Sequence, residues 1–391
     1  MFRHGTTFVI GAGASAEFGL PVGSQLANLI RRSAKLENLT SRTNQEIGDN
    51  AFYETIRRLW PHSADRAKPQ KAARDIHEGI HTAVSIDAFI DRFSGDNDIA
   101  LIGKMLIALE IAKAERQSSM WPENWNKLAE DVSLRILNER QIRLTNPDDT
   151  WIGQFFRILC DGVHDPKLLG KAITIICFNY DRCIEYYLRK QISAAYRITL
   201  AEAHEIVLNM NIIHPYGTLG ELAMNDSGYG DGKMGFGAGI DQYNRLEEIA
   251  KNIRTYTEQQ HKPGMIKKIH DAIGECNVLV FLGFGFNNQN LDLLRVKEFG
   301  TEYTNLPKPV YASGKGISSQ VSNTLRRRIG NLFADYSPQA QIWKENVHIE
   351  FGQTCGELFE THNMNLSSFV ERYVDHEQGE LKFVESSRRS E

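Results

Sequence analysis

The sequence predicts an α/β protein, a Rossmann-like parallel sheet with helices on both faces and a large helical insertion. Three observations carry this. The chain opens on a short β-rich apolar run, Thr7 to Ile10, which turns on Gly11 and Gly13 and continues through Ser15 towards a helix starting near Ser24. A second run, Ala172 to Phe178, is apolar almost throughout, as a strand buried on both faces must be. Further β-branched runs then alternate with helical stretches, the pattern of parallel strands joined by crossover helices.

In chain order, Gln25 to Arg32 reads as helix and residues 37–50 are polar. From Ala51 to about Arg140 nearly everything reads helical: Ile99, Leu101, Ile102, Met105, Leu106 and Leu109 recur at helical spacing, as do Leu128, Val132, Ile136 and Leu137. Ser85 is placed to cap a helix carrying Phe89, Ile90 and Phe93. Thr145 to Asp149 is a turn, and Trp151 to Cys160 another helix. Residues 37–165 are thus expected as a mainly helical insertion within a single domain spanning 1–391. The second strand ends in Asn179-Tyr180-Asp181, followed by a helix from Cys183 to about Ala195. A short strand, Asn211 to Ile213, ends in His214-Pro215-Tyr216-Gly217. Residues 226–239 carry six glycines and are expected as a mobile loop. Helices are predicted over 241–259 and 265–273, then a strand Val278 to Leu282 ending in Gly283-Phe284-Gly285-Phe286-Asn287-Asn288. A helix, a strand Val310 to Ala312 ending in Ser313-Gly314, a basic helix over 317–328, a strand Val347 to Phe351 and a helix over 366–375 follow, with a polar tail over 377–391.

Composition excludes several function classes. Among 391 residues, 41% hydrophobic and 24% charged content is ordinary for a globular protein, and a net charge of −4 gives no general attraction to nucleic acid. No apolar run approaches the roughly 18 residues of a membrane span. Gly11 to Glu17 interrupts the first apolar run, so a secretory signal is not expected. Five scattered cysteines without a C-x-x-C pair argue against a disulfide framework or a zinc ribbon, and a reducing cytoplasm is the expected setting.

The candidate site follows from topology. In a parallel sheet all strand carboxyl ends lie on one edge, where ligands bind. Five strands end in chemistry-bearing groups: Gly11, Gly13 and Ser15; Asn179 and Asp181; His214; Gly283 and Gly285; Ser313 and Gly314. The first, G-x-G-x-x-A, suits a phosphate loop, since glycines allow close backbone approach and amides at a helix start face an anion. The acidic residue that closes a dehydrogenase fingerprint about 20 residues later is missing, and a plain glycine turn is the bland alternative. Asn179 and Asp181 equally suit helix capping, and His214 a buried, satisfied histidine.

Ile76-His77-Glu78-Gly79-Ile80-His81 contains a literal H-E-x-x-H, which on a helix sets two imidazoles on one face as in zinc proteases. Gly79 within the helix, Asp75 just upstream and the missing third ligand count against it. No bound metal is expected. Arg326-Arg327-Arg328 suits a helix C-terminus rather than a nucleic-acid contact.

G-A-G-A-S with Gly19-Leu20-Pro21, then F-N-Y-D, then a strand-end histidine with Gly217 shortly after, then F-L-G-F-G-F-N, resembles the sirtuin-like superfamily over most of the chain, the helical insertion excepted. The resemblance implies NAD as substrate: Gly11, Ala12, Gly13 and Ser15 on the pyrophosphate; Asn179 and Asp181 at the nicotinamide ribose and carboxamide; His214 as base; Gly283, Phe284, Gly285 and Ser313 on the adenosine half. Protein-deacylating sirtuins carry a four-cysteine zinc module and a Pro-x-Phe-Arg run; here there are no cysteine pairs, and Pro21 is followed by Val22-Gly23-Ser24. Both departures point to the branch resembling bacterial anti-phage effectors that hydrolyse NAD to nicotinamide and ADP-ribose. Pro215 and Tyr216 separate His214 from Gly217, which makes Tyr216 the alternative base; imidazole takes a proton near neutral pH far more readily than a phenol. The resemblance further implies control by self-assembly as a homo-oligomer or by a HerA-type DNA-translocating ATPase. A catalytically quiet sensor of NAD or an ADP-ribose derivative is the alternative function, and a zinc protease using His77, Glu78 and His81 the remote one.

Overall fold

Thr6–Ile10 forms the central strand, β1, because it can be buried on both faces: all five residues are inaccessible, and none is a proline that would break a ladder. In the computed structural model, residues 1–36, 49–130, 144–225, 229–230, 233–238, 245–256, 258, 263–296, 308–333, 345–368, 370–374 and 381–385 are described. The sheet comprises β1, β2 (Ile173–Cys177), β3 (Ile212–Ile213), β4 (Val278–Leu282), β5 (Val310–Gly314) and β6 (Val347–Phe351), in the order β3-β2-β1-β4-β5-β6. All pairings are parallel. The order reverses at β1, the switch point where doubly wound sheets open a crevice.

Register decides where the strand-end groups lie. Ile10 is level with Cys177 on one side and Leu282 on the other, so the chain leaves all three strands at the same height. Period-2 alternation then divides the sheet between two cores. Phe8 and Ile10 join Ile175, Cys177, Val280 and Leu282 under the helices Trp151–Cys160, Cys183–Tyr196 and Cys355–Leu366. Val9 joins Ile176, Leu279 and Phe281 under Gly23–Ser33, Asn97–Gln117, Pro263–Gly274 and Ser322–Gly330.

The described part of the insertion is helical: Asn50–Leu59, Ala67–Gly79, Ile86–Arg92, Asn97–Gln117 and Pro122–Glu130. The Ser85 hydroxyl caps its helix, accepting from the Ala88 amide at 3.1 Å. The Asn97–Gln117 helix is buried around most of its circumference, including Ile102, Met105, Leu106 and Leu109, and shares the second core with the sheet. Its last turns carry Glu115, fully buried. Glu115 accepts from the Arg182 amide (3.0 Å), Nε (3.1 Å) and Nη2 (2.6 Å), and from the Gly237 amide (2.8 Å). Arg182 also donates to the carbonyls of Met234 (2.7 Å) and Gly235 (3.0 Å).

For the described residues of 226–239, expected as a mobile loop, that pair shows held structure instead; residues 226–228, 231, 232 and 239 lie outside the described residues. Tyr229–Gly230 and Lys233–Met234 form a two-stranded ribbon, and Phe236 is buried with its ring stacked on Tyr186 at 4.2 Å. Gly237 serves close approach: a Cβ there, at φ +65°, would stand 2.8 Å from the Arg116 amide nitrogen. In the region read as helix 241–259, the described α-helix is Leu246–Ala250; residues 241–244, 257 and 259 lie outside the described residues. The predicted helix over 366–375 is replaced by a helix Cys355–Leu366 and a strand Val370–Val374. Weak helix formers such as Gly356 and Asn363 hide the first, and the Val370 run is too short for periodicity to separate helix from strand. Leu381–Glu385, inside the expected polar tail, pairs antiparallel with that strand. The stripe Val132, Ile136 and Leu137 lies outside the described residues, as does the side chain of Leu128. Among the described residues no helix is long and apolar enough to cross a membrane.

Replacing Glu115 by alanine strands the Arg182 guanidinium in the interior. A loss of about 3–5 kcal/mol in denaturant unfolding is expected; a Glu115→Ala protein as stable as wild type would remove this pair from the account of how the insertion is held.

Candidate functional site, a cleft at the carboxyl edge of the sheet

The loops after β1 and β4 meet main chain to main chain. The Gly11 amide donates to the Leu282 carbonyl (2.9 Å) and the Gly13 amide to the Gly283 carbonyl (2.9 Å). Gly283 has φ +57°, and a Cβ there would lie 2.0 Å from the Ala14 nitrogen. The glycines anticipated as room for a ligand are thus first required for this interlock. The amides of Gly11, Gly13 and Ala14 are all committed to carbonyls, Ala14 to Gly11 at 2.9 Å.

Behind this interlock lies a polar network. Asn179 Nδ2 donates to the Gly11 carbonyl (3.1 Å) and to Ser15 Oγ (2.8 Å). The Ser15 hydroxyl in turn helps to hold Asp181 ionised. Asp181 Oδ1 accepts from the Cys183 amide at 3.2 Å, so it does bind the start of the following helix, as the capping alternative anticipated, whereas Asn179 binds the β1 loop. Burial raises the Asp181 carboxyl above its ordinary range against these donors. Ser313 Oγ accepts from the Gly283 amide at 2.8 Å, linking the β4 loop to β5.

These groups surround a cleft of about 1060 Å³ at the carboxyl edge. Gly11, Ala12, Gly13, Asn179, Asp181, Gly283, Phe284, Gly285 and Ser313 all line it. Ser15 does not; buried behind the wall, it acts through Asn179 and Asp181. His214 is not brought to the cleft. It faces a second cavity of about 420 Å³ with Glu185, while Tyr216 lines the main cleft and donates to Asn290 Oδ1 at 2.7 Å. His214 Nε2 lies 2.5 Å from Glu185 Oε1, and Nδ1 lies 3.4 Å from the Asn179 carbonyl oxygen. Burial opposes the imidazolium, but the Glu185 carboxylate outweighs it and holds His214 protonated well above the usual histidine range. A protonated imidazole donates from both nitrogens and cannot accept a proton. Burial and its acidic neighbours push the Tyr216 phenol far upward, so it is no base near neutral pH either.

Five cleft residues were not singled out as site residues from sequence. Glu17 Oε1 accepts from the amides of Cys355 (2.8 Å) and Gly356 (3.3 Å), and burial raises its carboxyl. Thr354 and Cys355 reach the wall through the helix start after β6, which Thr354-x-x-Glu357 marks as a capping box, a readable signal. Asp87, from the insertion, accepts a hydrogen bond from the Tyr180 hydroxyl, and burial lifts its carboxyl to about 6. No strand-end rule points to a residue inside a helical insertion. Lys315, after β5, places a positive charge on the cleft wall.

Compared with protein-family models and with curated proteins, the chain matches none. The H-E-x-x-H run does not form one helical face: the α-helix ends at Gly79, and His81 sits in a separate 3₁₀ turn, Ile80–Thr82. His77 Nδ1 is 2.7 Å from the Arg31 carbonyl oxygen. Among the described residues no group of three or more His, Cys, Asp or Glu side chains is placed to hold a metal ion.

Two glycines of one motif separate packing from ligand space. Gly283→Ala is expected to cost about 1–3 kcal/mol, through its positive φ and the Ala14 contact. Gly285→Ala, with nothing within 4 Å of the added Cβ, should melt as wild type does. Thermal unfolding of both variants checks this, and equal melting temperatures would contradict the interlock.

Proposed function

We propose that the cleft binds NAD and hydrolyses the bond between nicotinamide and ribose, releasing nicotinamide and ADP-ribose. The observation that supports this reading is the convergence of the strand-end groups of the sirtuin-like sequence pattern, Gly11 to Gly13, Asn179 with Asp181, Gly283 to Gly285 and Ser313, on one cavity. Its volume, about 1060 Å³, suits a dinucleotide rather than a small metabolite. Cleavage converts a cationic pyridinium into neutral nicotinamide, so the leaving group needs no acid, and positive charge develops on the ribose as in glycoside cleavage. Asp181, with Asp87 also on the wall, supplies negative charge to such a centre, and Asn179 sits rigidly between Gly11 and Ser15 to orient a ribose hydroxyl or the attacking water. Lys315 offers a counter-charge to phosphate. On this reading, uncontrolled NAD hydrolysis is toxic, and self-assembly or a HerA-type ATPase partner supplies the control implied by the sequence resemblance.

One observation favours a second reading. With His214 protonated and outside the cleft, the imidazole base expected from sequence is missing from the cavity, which suits a protein that binds NAD or an ADP-ribose derivative without turning it over.

Nicotinamide release from NAD, followed by chromatography over a protein concentration series, separates the two. The enzyme reading expects turnover that Asn179→Ala lowers at least about a hundredfold while the variant melts cooperatively. Calorimetric NAD binding without nicotinamide at any concentration supports the sensor, and neither binding nor release overturns both readings.

A further inference from the structure

Resting on the hydrolase reading, we propose that Asp87, a carboxylate carried into the cleft by the helical insertion, is the catalytic base, taking the proton from the water that adds to the ribosyl carbon. The bond between that carbon and the pyridinium nitrogen breaks with its electron pair going to the nitrogen. The water oxygen bonds to the carbon, and one water proton passes to Asp87 and then to solvent.

Geometry selects Asp87 from the other ionisable groups of the wall. Asp181 is fixed by the Cys183 amide and by Ser15, and Glu17 by the Cys355 and Gly356 amides. Asp149 is exposed at the rim. Tyr180 and Tyr216 are held as neutral phenols. Asp87 is partly covered, lines the cavity, and receives its hydrogen bond from Tyr180, the residue between Asn179 and Asp181. The insertion is also held at this point by Gln289, which donates to Asp91 Oδ2 at 3.0 Å. The carboxylate is therefore carried on an anchored helix beside the residues that receive the ribose.

The charged and titratable groups around it are Tyr180 and Tyr216 from the strand ends, Asp91 on its own helix, and Tyr256 and Glu258, whose fields reach the same two phenols. Glu258 is paired with Lys104 at 2.5 Å, and Tyr256 donates to Asp292 at 2.8 Å. Burial is the largest influence on the Asp87 carboxyl and places its titration at about 6, while the Tyr180 hydroxyl draws it down. A base of that strength is half ionised just below neutrality, where proton transfer from water is best matched.

The experiment is the pH profile of nicotinamide release by the full chain from about pH 5 to 9, with NAD binding measured by calorimetry. In wild type the rate should rise with pH along a limb centred at about 6 and level above it. Asp87→Asn should bind NAD within a few fold of wild type, lose roughly 10²–10⁴ in kcat and lose the limb. Tyr180→Phe removes the donor that lowers the Asp87 pKa, so its limb should move to higher pH. His214→Gln should keep the limb where it is. An Asp87→Asn protein with wild-type rate and limb, or one that fails to bind NAD, overturns the assignment but leaves the hydrolase reading standing. A limb that moves with His214→Gln and not with Tyr180→Phe overturns it likewise. Wild-type protein that binds NAD but leaves it intact at every pH overturns both.

Discussion

The buried pair of Glu115 and Arg182 is the contact on which the arrangement of this protein depends. It joins three segments far apart in sequence: the last turns of the insertion's long helix, the residue following Asp181, and the glycine-rich run from Met234 to Gly237. Two charges withdrawn from water gain little unless every remaining donor and lone pair is matched. Here the carboxylate accepts four protein N–H bonds, and the guanidinium spends its other donors on main-chain carbonyls. That matching gives geometric uniqueness more than raw stability. An apolar contact could bind the insertion to the sheet in many rotations, whereas this network closes in one.

The same economy governs the cleft. Its floor is formed by two loops whose main chains touch, so substitution at Gly283 acts first on packing and only through packing on a ligand. The polar groups behind the floor are likewise committed: Ser15 serves Asn179 and Asp181, and Ser313 serves the β4 loop. Groups held this firmly supply orientation, because they cannot relax when charge develops nearby. The insertion contributes part of the lining through Val84, Ser85, Ile86 and Asp87, so the cavity is shared between the sheet edge and the inserted helices.

His214 illustrates how a strand end can carry a reactive side chain away from the edge it marks. β3 is the outermost strand on its side, only Ile212–Ile213 long, and the chain turns behind Asn179 rather than over the cleft. The histidine reaches back to Glu185 on the helix Cys183–Tyr196, which follows β2, and becomes a cation there. Tyr216, two residues on, lines the cavity instead. Residue order along a loop does not specify which side chain faces the ligand edge; the turn geometry does.

By itself the sequence determined the sheet. Strand runs at β1, β2, β4, β5 and β6, their parallel sense and the glycine turns were legible because burial on both faces demands continuous β-branched and aromatic residues, a constraint that acts within a few neighbours, whereas the order of the strands in the sheet was not. Asn179, Asp181, Gly283 and Ser313 were legible for the same reason, as groups at the ends of such runs. Only the tertiary structure decided the rest. The helix Cys355–Leu366 forms against its propensity because Leu358, Phe359 and Leu366 are buried in the core under Phe8. The glycine-rich run is held because a carboxylate more than a hundred residues away accepts its amide. Asp87 enters the cleft, and His214 leaves it, through contacts with Tyr180 and Glu185 that lie 93 and 29 residues away in sequence. Such pairings depend on where distant segments are packed, and local pattern carries no information about that.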